Sequence, residues 1–487
     1  MDSFFQSTPL LLLLLLPLIT FSIIPYVTAV MVSAAALEDA QQVTTAYSGR
    51  QHARTDAREQ EAVYEIMRAT GNHWAAEIPD VCRGRWHGIE CMPDQSNVFH
   101  VVSLSFGALS DDTAFPTCSG AAPSISPALT RLSHLRTLFF YRCLAGNPQP
   151  VPPFLSELGQ ALRTLVLREN GHVGPIPSQL GNLTRLTVLD LHGNSLNGCI
   201  PGQLNRLTAL RSLDLSDNQL GGAIPPTLAF PLLHTLDLNR NGLVGPIPAR
   251  ILNSGHSLIK MDLSRNQLSG PIPDSIRSLT NVILMDLSYN SLTSPFPTNL
   301  KNLNALAALI LSGNPMPADA IPESAFQGGF KGLVILAMSN MNLRGPIPES
   351  LGRLPSLRVV HLDGNRLSGS IPQSFGGDQS CRLSELRLEN NELTGRVPFK
   401  RDALWRMRRK LKLFNNPGLC YDGDGDDLEA ISGSGIGRCA THPTTAAAAA
   451  VQQAWPPSTA TLRMNCPPLI ISMLLLPPPI LLLSFLL

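Results

Sequence analysis

Apolar and polar positions recur in one frame through the middle of the chain, L-x-L-x-x-N-x-L-x-G-x-I-P. Two consecutive copies are LTVLDLHGNSLNGCIPGQL (residues 186–204) and LRSLDLSDNQLGGAIPPTL (residues 210–228). The asparagine of the frame recurs at Asn170, Asn194, Asn218, Asn241, Asn266, Asn290, Asn314, Asn365, Asn391 and Asn416. Cys143 and Met341 occupy the same slot in two degenerate copies, so every step along the series is 23 to 27 residues. Such regular spacing predicts an array of stacked structural repeats.

The two leucines of L-x-L are two residues apart, so on a β-strand both side chains point to the same side. No single repeat can bury that leucine face alone, and the repeats must therefore stack. The frame predicts twelve stacked strands, an array about 55 Å long at the usual strand spacing. We expect the asparagine amide to bond the backbone of neighbouring turns, where no strand ladder reaches.

The G-x-I-P element, as in residues 174–177 and 270–273, resembles the plant-specific type of leucine-rich repeat. That type occurs in receptor kinases, receptor-like proteins and polygalacturonase inhibitors. The resemblance implies an α/β solenoid: a leucine-rich repeat superhelix with disulfide-capped ends and a concave strand face that binds peptides or proteins.

An open solenoid needs sealed ends. The stretch CRGRWHGIEC resembles the N-terminal cap of plant extracellular repeat proteins, and its Cys82 and Cys91 are expected to pair. A short helix with an apolar stripe is predicted over residues 59–68. At the other end, NNPGLC leads to Cys420, for which Cys439 is the expected partner.

Four further cysteines are judged by their place in the array. The step from Leu109 to Cys143 is 34 residues, longer than a repeat, and so contains an insertion. A disulfide between Cys118 and Cys143 is expected to hold this insertion against the array. Cys199 and Cys381 lie seven repeats apart, about 34 Å at strand spacing, and are expected not to pair.

Composition and charge bear on the possible partners of the chain and on its cellular location. Lys and Arg number 37 against 36 Asp and Glu, and a formal net charge of +1 gives no reason to expect a nucleic-acid partner. An apolar run over residues 10–16 predicts a secretory signal peptide; without a basic n-region, a signal anchor is the alternative. Nine cysteines in an exported chain imply disulfides.

The hydrophobic segment 469–487 predicts that the protein is attached to the extracellular face of the plasma membrane, which it would reach through the secretory pathway. A spanning helix needs about 20 apolar residues, and prolines 477–479 interrupt this one. The favoured alternative is a lipid-attachment signal with Ser458 at the attachment site.

The segments suggest the following division. It comprises a signal peptide (1–36), a disordered pro-region or linker (37–58), an N-terminal cap (59–100), leucine-rich repeats (101–398), a C-terminal cap (399–440), a low-complexity linker (441–468) and the hydrophobic tail (469–487).

Segments outside the repeat frame, among them HVVSLSFGALSDDTAFPTC and VPFKRDALWRMRRKLKLFNNPGLC, resemble the plant receptor-like protein family of stomatal patterning. The resemblance covers roughly residues 61–439. It implies a non-catalytic cell-surface protein that pairs with ERECTA-family receptor kinases and modulates recognition of secreted cysteine-rich peptides of the epidermal patterning factor class. The alternative is an extracellular enzyme inhibitor resembling polygalacturonase-inhibiting proteins.

Candidate contact residues are outward-facing strand positions rich in aromatic and charged side chains, which protein interfaces favour. They are Phe139, Tyr141, Arg168, Glu169, His192, Arg387 and Glu389. The aspartates and serines at the same positions in the middle repeats, such as Asp214, Asp262 and Ser264, are interpreted as a solvated strand face.

Other chemistry is sparse in the sequence. Asn182-Leu183-Thr184 is an N-glycosylation sequon, histidines are scattered singly, and no catalytic, metal or cofactor motif is recognised. The basic run 400–412 is interpreted as a cap helix with a solvated face, with a partner contact as the alternative. The acidic run 422–430 is interpreted as a flexible loop rather than a calcium loop.

Overall fold

The computed structural model describes residues 54–84, 86–110, 113–159, 161–253, 257–293, 298–315, 320–376, 383–422 and 434–439. The expected signal peptide, membrane tail and lipid-attachment residue Ser458 lie outside these residues, as do Cys381 and most of the acidic run. Among the described residues, no helix combines the length and the apolar character that crossing a membrane would require.

One long sheet runs through the described residues, with a parallel strand from each successive repeat. Its strands are Val98–Phe106, Thr137–Tyr141, Thr164–Arg168, Val188–Asp190, Ser212–Asp214, Thr235–Asp237, Lys260–Asp262, Leu284–Asp286, Ala308–Ile310, Ile335–Ala337, Val359–His361, Glu385–Arg387 and Leu411–Lys412. At the N-terminal end, Arg54–Thr55 pairs in parallel and Ile89–Pro93 antiparallel with Val98–Phe106. The parallel solenoid predicted from the repeat frame is confirmed.

The inward leucines of the frame form the core. Leu213 and Leu215, for example, are 1% and 0% exposed, and equivalent residues of each repeat join one continuous apolar cluster from Ala62 to Tyr421. Burial of these side chains against neighbouring repeats supplies the main stabilisation of the array.

An asparagine ladder connects the strand ends, as the frame predicted. Asn218 Nδ2 donates to the carbonyl of Leu191 in the preceding repeat (2.9 Å) and to that of Leu215 in its own repeat (3.2 Å). Its Oδ1 accepts from the backbone N–H of Leu196 at 3.0 Å. Because buried backbone groups need partners, each such asparagine satisfies polar groups that the sheet leaves unpaired.

The G-x-I-P elements build a second set of short parallel strands and then start 3₁₀ helices. The strands are Val173–Pro175, Ser195–Cys199, Gln219–Ala223, Gly242–Gly245, Gln267–Gly270, Ser291–Leu292, Arg344–Gly345, Arg366–Gly369, Glu392–Arg396, Gly418–Tyr421 and Gly437–Arg438. The 3₁₀ helices of the array are Pro127–Arg131, Pro153–Leu158, Ser178–Asn182, Gly202–Arg206, Ile251–Asn253, Asp274–Ser278, Thr298–Asn302, Glu323–Ala325, Leu351–Arg353 and Gln373–Phe375.

The N-terminal cap is built on helix α1, Ala57–Ala69, with a further 3₁₀ turn at His73–Glu77 and a small hairpin of Ala108–Ser110 with Thr113–Ala114. Asp56 caps α1, since its Oδ1 accepts from the backbone N–H groups of Arg58 (2.9 Å) and Glu59 (3.1 Å). The described residues therefore include 54–58, the last part of the segment 37–58 that was expected to be a linker.

Disulfides close both ends of the array. Cys82 pairs with Cys91, Cys118 with Cys143 and Cys420 with Cys439, at Cα–Cα distances of 5.7, 4.9 and 4.7 Å. These are the three expected pairs, and Cys199 is a free, exposed thiol.

The C-terminal cap contains helix α2, Arg401–Met407, followed by a 3₁₀ turn at Arg408–Lys410. The apolar side chains of the basic run are buried, with Leu404, Met407 and Leu411 at most 1% exposed, whereas its arginines are exposed, as expected for a solvated basic face. Trp405 lies on the exposed side, with the Arg408 guanidinium over its ring at 4.8 Å.

Candidate binding face of the long sheet

Strand register aligns the outward-facing residues of successive repeats into rows. Beginning at Phe139, one row continues through Val166, Asp190, Asp214, Asp237, Asp262, Asp286, Ile310, Ala337, His361 and Arg387. Neighbouring members of a row lie about 5 Å apart, so each is in reach of the next. The chemistry of this face can therefore be read repeat by repeat.

The N-terminal part of the face is aromatic and ionic. Phe139 and Tyr141 are half-buried, and Phe139 meets Phe115 edge-on at 6.2 Å between ring centroids. The Arg142 guanidinium lies 5.0 Å from the centre of the Tyr141 ring and pairs with Glu169 at 2.6 Å. Phe139, Tyr141, Arg142 and Glu169, from two successive repeats, thus form one partly exposed patch.

Arg168, the neighbour of this patch, is buried. Its guanidinium lies 3.0 Å from the Asp190 carboxylate and 3.8 Å from that of Asp214, and it is 6% exposed. Burial, together with the charge of Asp214, raises the pKa of Asp190 to about 7 even though Arg168 opposes the shift. Arg168 therefore presents little surface to a ligand, and it holds two carboxylates from the following repeats.

His192, the fifth residue expected on the N-terminal part of the face, is half-buried, and its Nδ1 lies 2.7 Å from Ser216 Oγ. Burial lowers the pKa of His192, so the neutral imidazole is favoured at this position.

The interpretation of the middle aspartates and serines as a solvated face is wrong. Asp214, Asp237 and Asp262 are only 3 to 6% exposed. Each accepts the backbone N–H two residues later, as Asp262 Oδ1 does from Ser264 at 3.0 Å. Burial raises the pKa of Asp262 well above its ordinary value, and Asp237 and Asp286 contribute. Within the row, Asp190, Asp214, Asp237 and Asp262 therefore form a buried acidic ladder.

Lys260 is the cation inside that ladder. Its Nζ lies 2.8 Å from Asp237, and the side chain is 16% exposed. Burial alone would lower the pKa of Lys260, but Asp237 and Asp262 raise it above its ordinary value.

After the ladder, Ile310 and Ala337 take the positions that aspartates hold in the preceding strands. In the neighbouring row, Ala308, Ile335 and Val359 form an apolar cluster of their own, outside the main core, against which Leu284 packs. This apolar strip was missed in the sequence, although Ile310 and Ala337 at the usual Asp position were a visible departure from the frame.

The C-terminal part of the face is ionic. Glu385 is buried and lies 2.8 Å from His361 Nε2, 3.1 Å from Arg387 Nε and 3.5 Å from Lys410 Nζ. Burial opposes ionisation, but the His361 hydrogen bond and the nearby cations lower the pKa of Glu385. Arg387 is exposed, whereas Glu389 is half-buried and burial raises its pKa.

The expected contact residues therefore fall into two groups, around Tyr141 and around Arg387. Nine strand steps separate the strands Thr164–Arg168 and Glu385–Arg387, which is roughly 43 Å along the sheet. One short ligand cannot touch both groups at once. Asn182, the sequon residue, is exposed on a 3₁₀ helix away from these strands.

Family models for the leucine rich repeat match residues 160–220, 257–279 and 356–377. Over 390 residues the chain is 55% identical to the Arabidopsis thaliana protein TOO MANY MOUTHS, covering 80% of this chain and 78% of that protein. The chain belongs to the TOO MANY MOUTHS family. It is a plant leucine-rich repeat receptor-like protein, as the repeat type and the non-consensus segments predicted.

Solved receptor ectodomains share the fold of this family member. PEPR1 in complex with AtPEP1 superposes with a TM-score of 0.59 at 30% identity, covering 75% of this chain and 49% of the receptor. The Arabidopsis thaliana receptor kinase GASSHO1/SCHENGEN3, solved with CASPARIAN STRIP INTEGRITY FACTOR 2, gives 0.56 at 26% identity, covering 76% and 48%. The chain thus spans about half the length of these receptor chains.

Proposed function

We propose that this chain is a non-catalytic cell-surface receptor subunit that pairs with an ERECTA-family receptor kinase. In that complex it modulates recognition of secreted cysteine-rich epidermal patterning peptides and so regulates stomatal patterning. The observation that carries the proposal is the 55% identity to TOO MANY MOUTHS over four-fifths of the chain.

The layout of the outward face supports a shared rather than a solitary binding role. Its two exposed groups lie at opposite parts of the array, and the intervening aspartates are buried. Aromatic and arginine side chains such as Tyr141 and Arg387 are the types that dominate interface energies. A partner ectodomain at one group and a peptide at the other would use both.

The solved neighbours support peptide recognition on this scaffold. PEPR1 and GASSHO1/SCHENGEN3 are receptors solved in complex with AtPEP1 and CASPARIAN STRIP INTEGRITY FACTOR 2. For the present chain, we infer that a comparable extracellular ligand is bound together with a kinase-bearing partner.

Association of purified ectodomains tests the proposal. The wild-type ectodomain should co-elute with an ERECTA-family ectodomain in size-exclusion chromatography. Arg387→Glu should weaken that association, whereas Arg250→Glu, which changes an exposed arginine on the return segment, should not. Failure to associate with any such ectodomain, combined with inhibition of a polygalacturonase, would favour the enzyme-inhibitor alternative instead.

A further inference from the structure

Two histidines and a glutamate that are far apart in sequence meet in the N-terminal cap. Glu59 lies in the first turn of α1, His100 in the strand Val98–Phe106, and His134 in the turn before the strand Thr137–Tyr141. Glu59 Oε1 is 2.9 Å from His100 Nδ1 and 3.4 Å from His134 Nδ1. The two imidazole rings face each other with centroids 4.0 Å apart.

The carboxylate at the centre of this cluster is buried and fixed in place. Glu59 is 2% exposed, and its Oε2 accepts the backbone N–H of Val101 at 2.7 Å. This leaves Oε1 directed at the two imidazoles. A buried carboxylate needs a positive partner at close range, because burial otherwise disfavours its charge.

We propose that Glu59, His100 and His134 form a binding site for a divalent transition metal of the Zn²⁺ class. Imidazole nitrogen and carboxylate oxygen are ligands that Zn²⁺ prefers, at distances of about 2.0–2.2 Å. Tetrahedral ligands at that distance are roughly 3.3 Å from one another. One ligand atom from each of the three residues lies within 4.8 Å of the others, so small side-chain movements bring them to that spacing.

A second carboxylate, that of Asp94, lies on the other side of the His100 ring. Asp94 Oδ2 approaches His100 Nε2 at 3.7 Å, on the ring nitrogen opposite the one that faces Glu59. Metal-bound histidines commonly direct their other ring N–H to a carboxylate, which fixes the tautomer and raises ligand basicity. Asp94 is thus placed to direct the lone pair of His100 Nδ1 toward the metal.

The site has an open side. The His134 side chain is 51% exposed, so a fourth ligand, either water or a residue of a partner, reaches the metal from solvent. The three protein ligands come from α1, the first long strand and the first repeat. Metal binding would therefore tie the cap helix to the array and raise its resistance to unfolding.

Titration of the full chain with ZnCl₂ tests the site. The chain is purified through an epitope tag without histidines, and binding is followed by calorimetry and by the visible absorption of Co²⁺ in place of Zn²⁺. We expect one metal per chain and a higher Tm with Zn²⁺ than with EDTA. His134→Ala should lower the affinity at least about tenfold, and Asp94→Asn should lower it about tenfold without removing a ligand.

His87→Ala is the matched control, because His87 is an exposed histidine of the same cap outside the cluster. It should bind Zn²⁺ as the wild type does. Since His134 is half-exposed, its alanine variant is expected to fold, and a Tm in EDTA equal to that of the wild type checks this. The absence of wild-type binding at micromolar Zn²⁺, or equal binding by His134→Ala, would show that the cluster is a hydrogen-bonded structural element only.

Discussion

Replacing Arg168 by methionine tests whether the buried ionic cluster at the start of the acidic ladder is structural. The substitution keeps most of the side-chain volume and removes the charge that lies 3.0 Å from Asp190 and 3.8 Å from Asp214. In the variant, Asp190 and Asp214 are buried without this cation. Breaking a buried pair from one side typically costs about 3–5 kcal/mol.

The pH dependence of that cost follows from Asp190. Its pKa is raised from 3.8 to about 7, so the folded protein holds this proton between those values more strongly than the unfolded chain does. The stability that this carboxyl contributes is therefore present below about pH 4 and is lost as the pH rises through 7. At pH 5 Asp190 is mostly neutral and needs Arg168 less, and we expect the substitution to cost only about 1–2 kcal/mol there.

Thermal unfolding of the ectodomain, followed by circular dichroism at pH 5 and pH 8, measures the difference. For a domain of this size about 1 kcal/mol corresponds to about 1 °C in Tm. Arg168→Met should lower Tm by about 3–5 °C at pH 8 and by about 1–2 °C at pH 5, whereas Arg211→Met, at an exposed position two repeats on, should change little at either pH. Equal losses at both pH values would refute the ionic interpretation.

Three further predictions concern the array and its tail. Asn218→Ala should cost about 3–5 kcal/mol in urea unfolding, because it orphans buried backbone groups of two repeats, while exposed Asn205→Ala should cost under about 0.5 kcal/mol. Gly107→Ala should lower Tm, since its φ is +95° and a Cβ would meet the Tyr141 carbonyl oxygen, whereas Gly146→Ala, with open space at the Cβ position, should not. If the chain carries a lipid-attachment signal, mass spectrometry should show that the mature protein ends near Ser458. An intact residue 487 in membrane-bound protein would contradict this proposal.

The repeat frame predicts most of the fold because its information is local. Inward leucines, the asparagine ladder and the turn glycines each follow from spacing within one repeat, and the structure places Leu213, Leu215 and Asn218 as that spacing requires. The cap cysteines likewise pair as expected.

Burial on the outward face could not be predicted from one repeat. Asp214 has the same local sequence whether or not a neighbour covers it, and its burial depends on the residues of adjacent strands, more than 20 positions away. Arg168 looked like a contact residue for the same reason, since its carboxylate partners lie in the next two repeats. The Glu59, His100 and His134 cluster was missed because folding alone brings these separated residues together.

The most direct test of the receptor-subunit account is calorimetric titration of a secreted epidermal patterning peptide into an ERECTA-family ectodomain, with and without the ectodomain of this chain. We expect the peptide to bind the pair at least about tenfold more tightly than the kinase ectodomain alone, a gain of about 1.4 kcal/mol. Identical affinity with and without this chain, for every such peptide tried, would contradict the account.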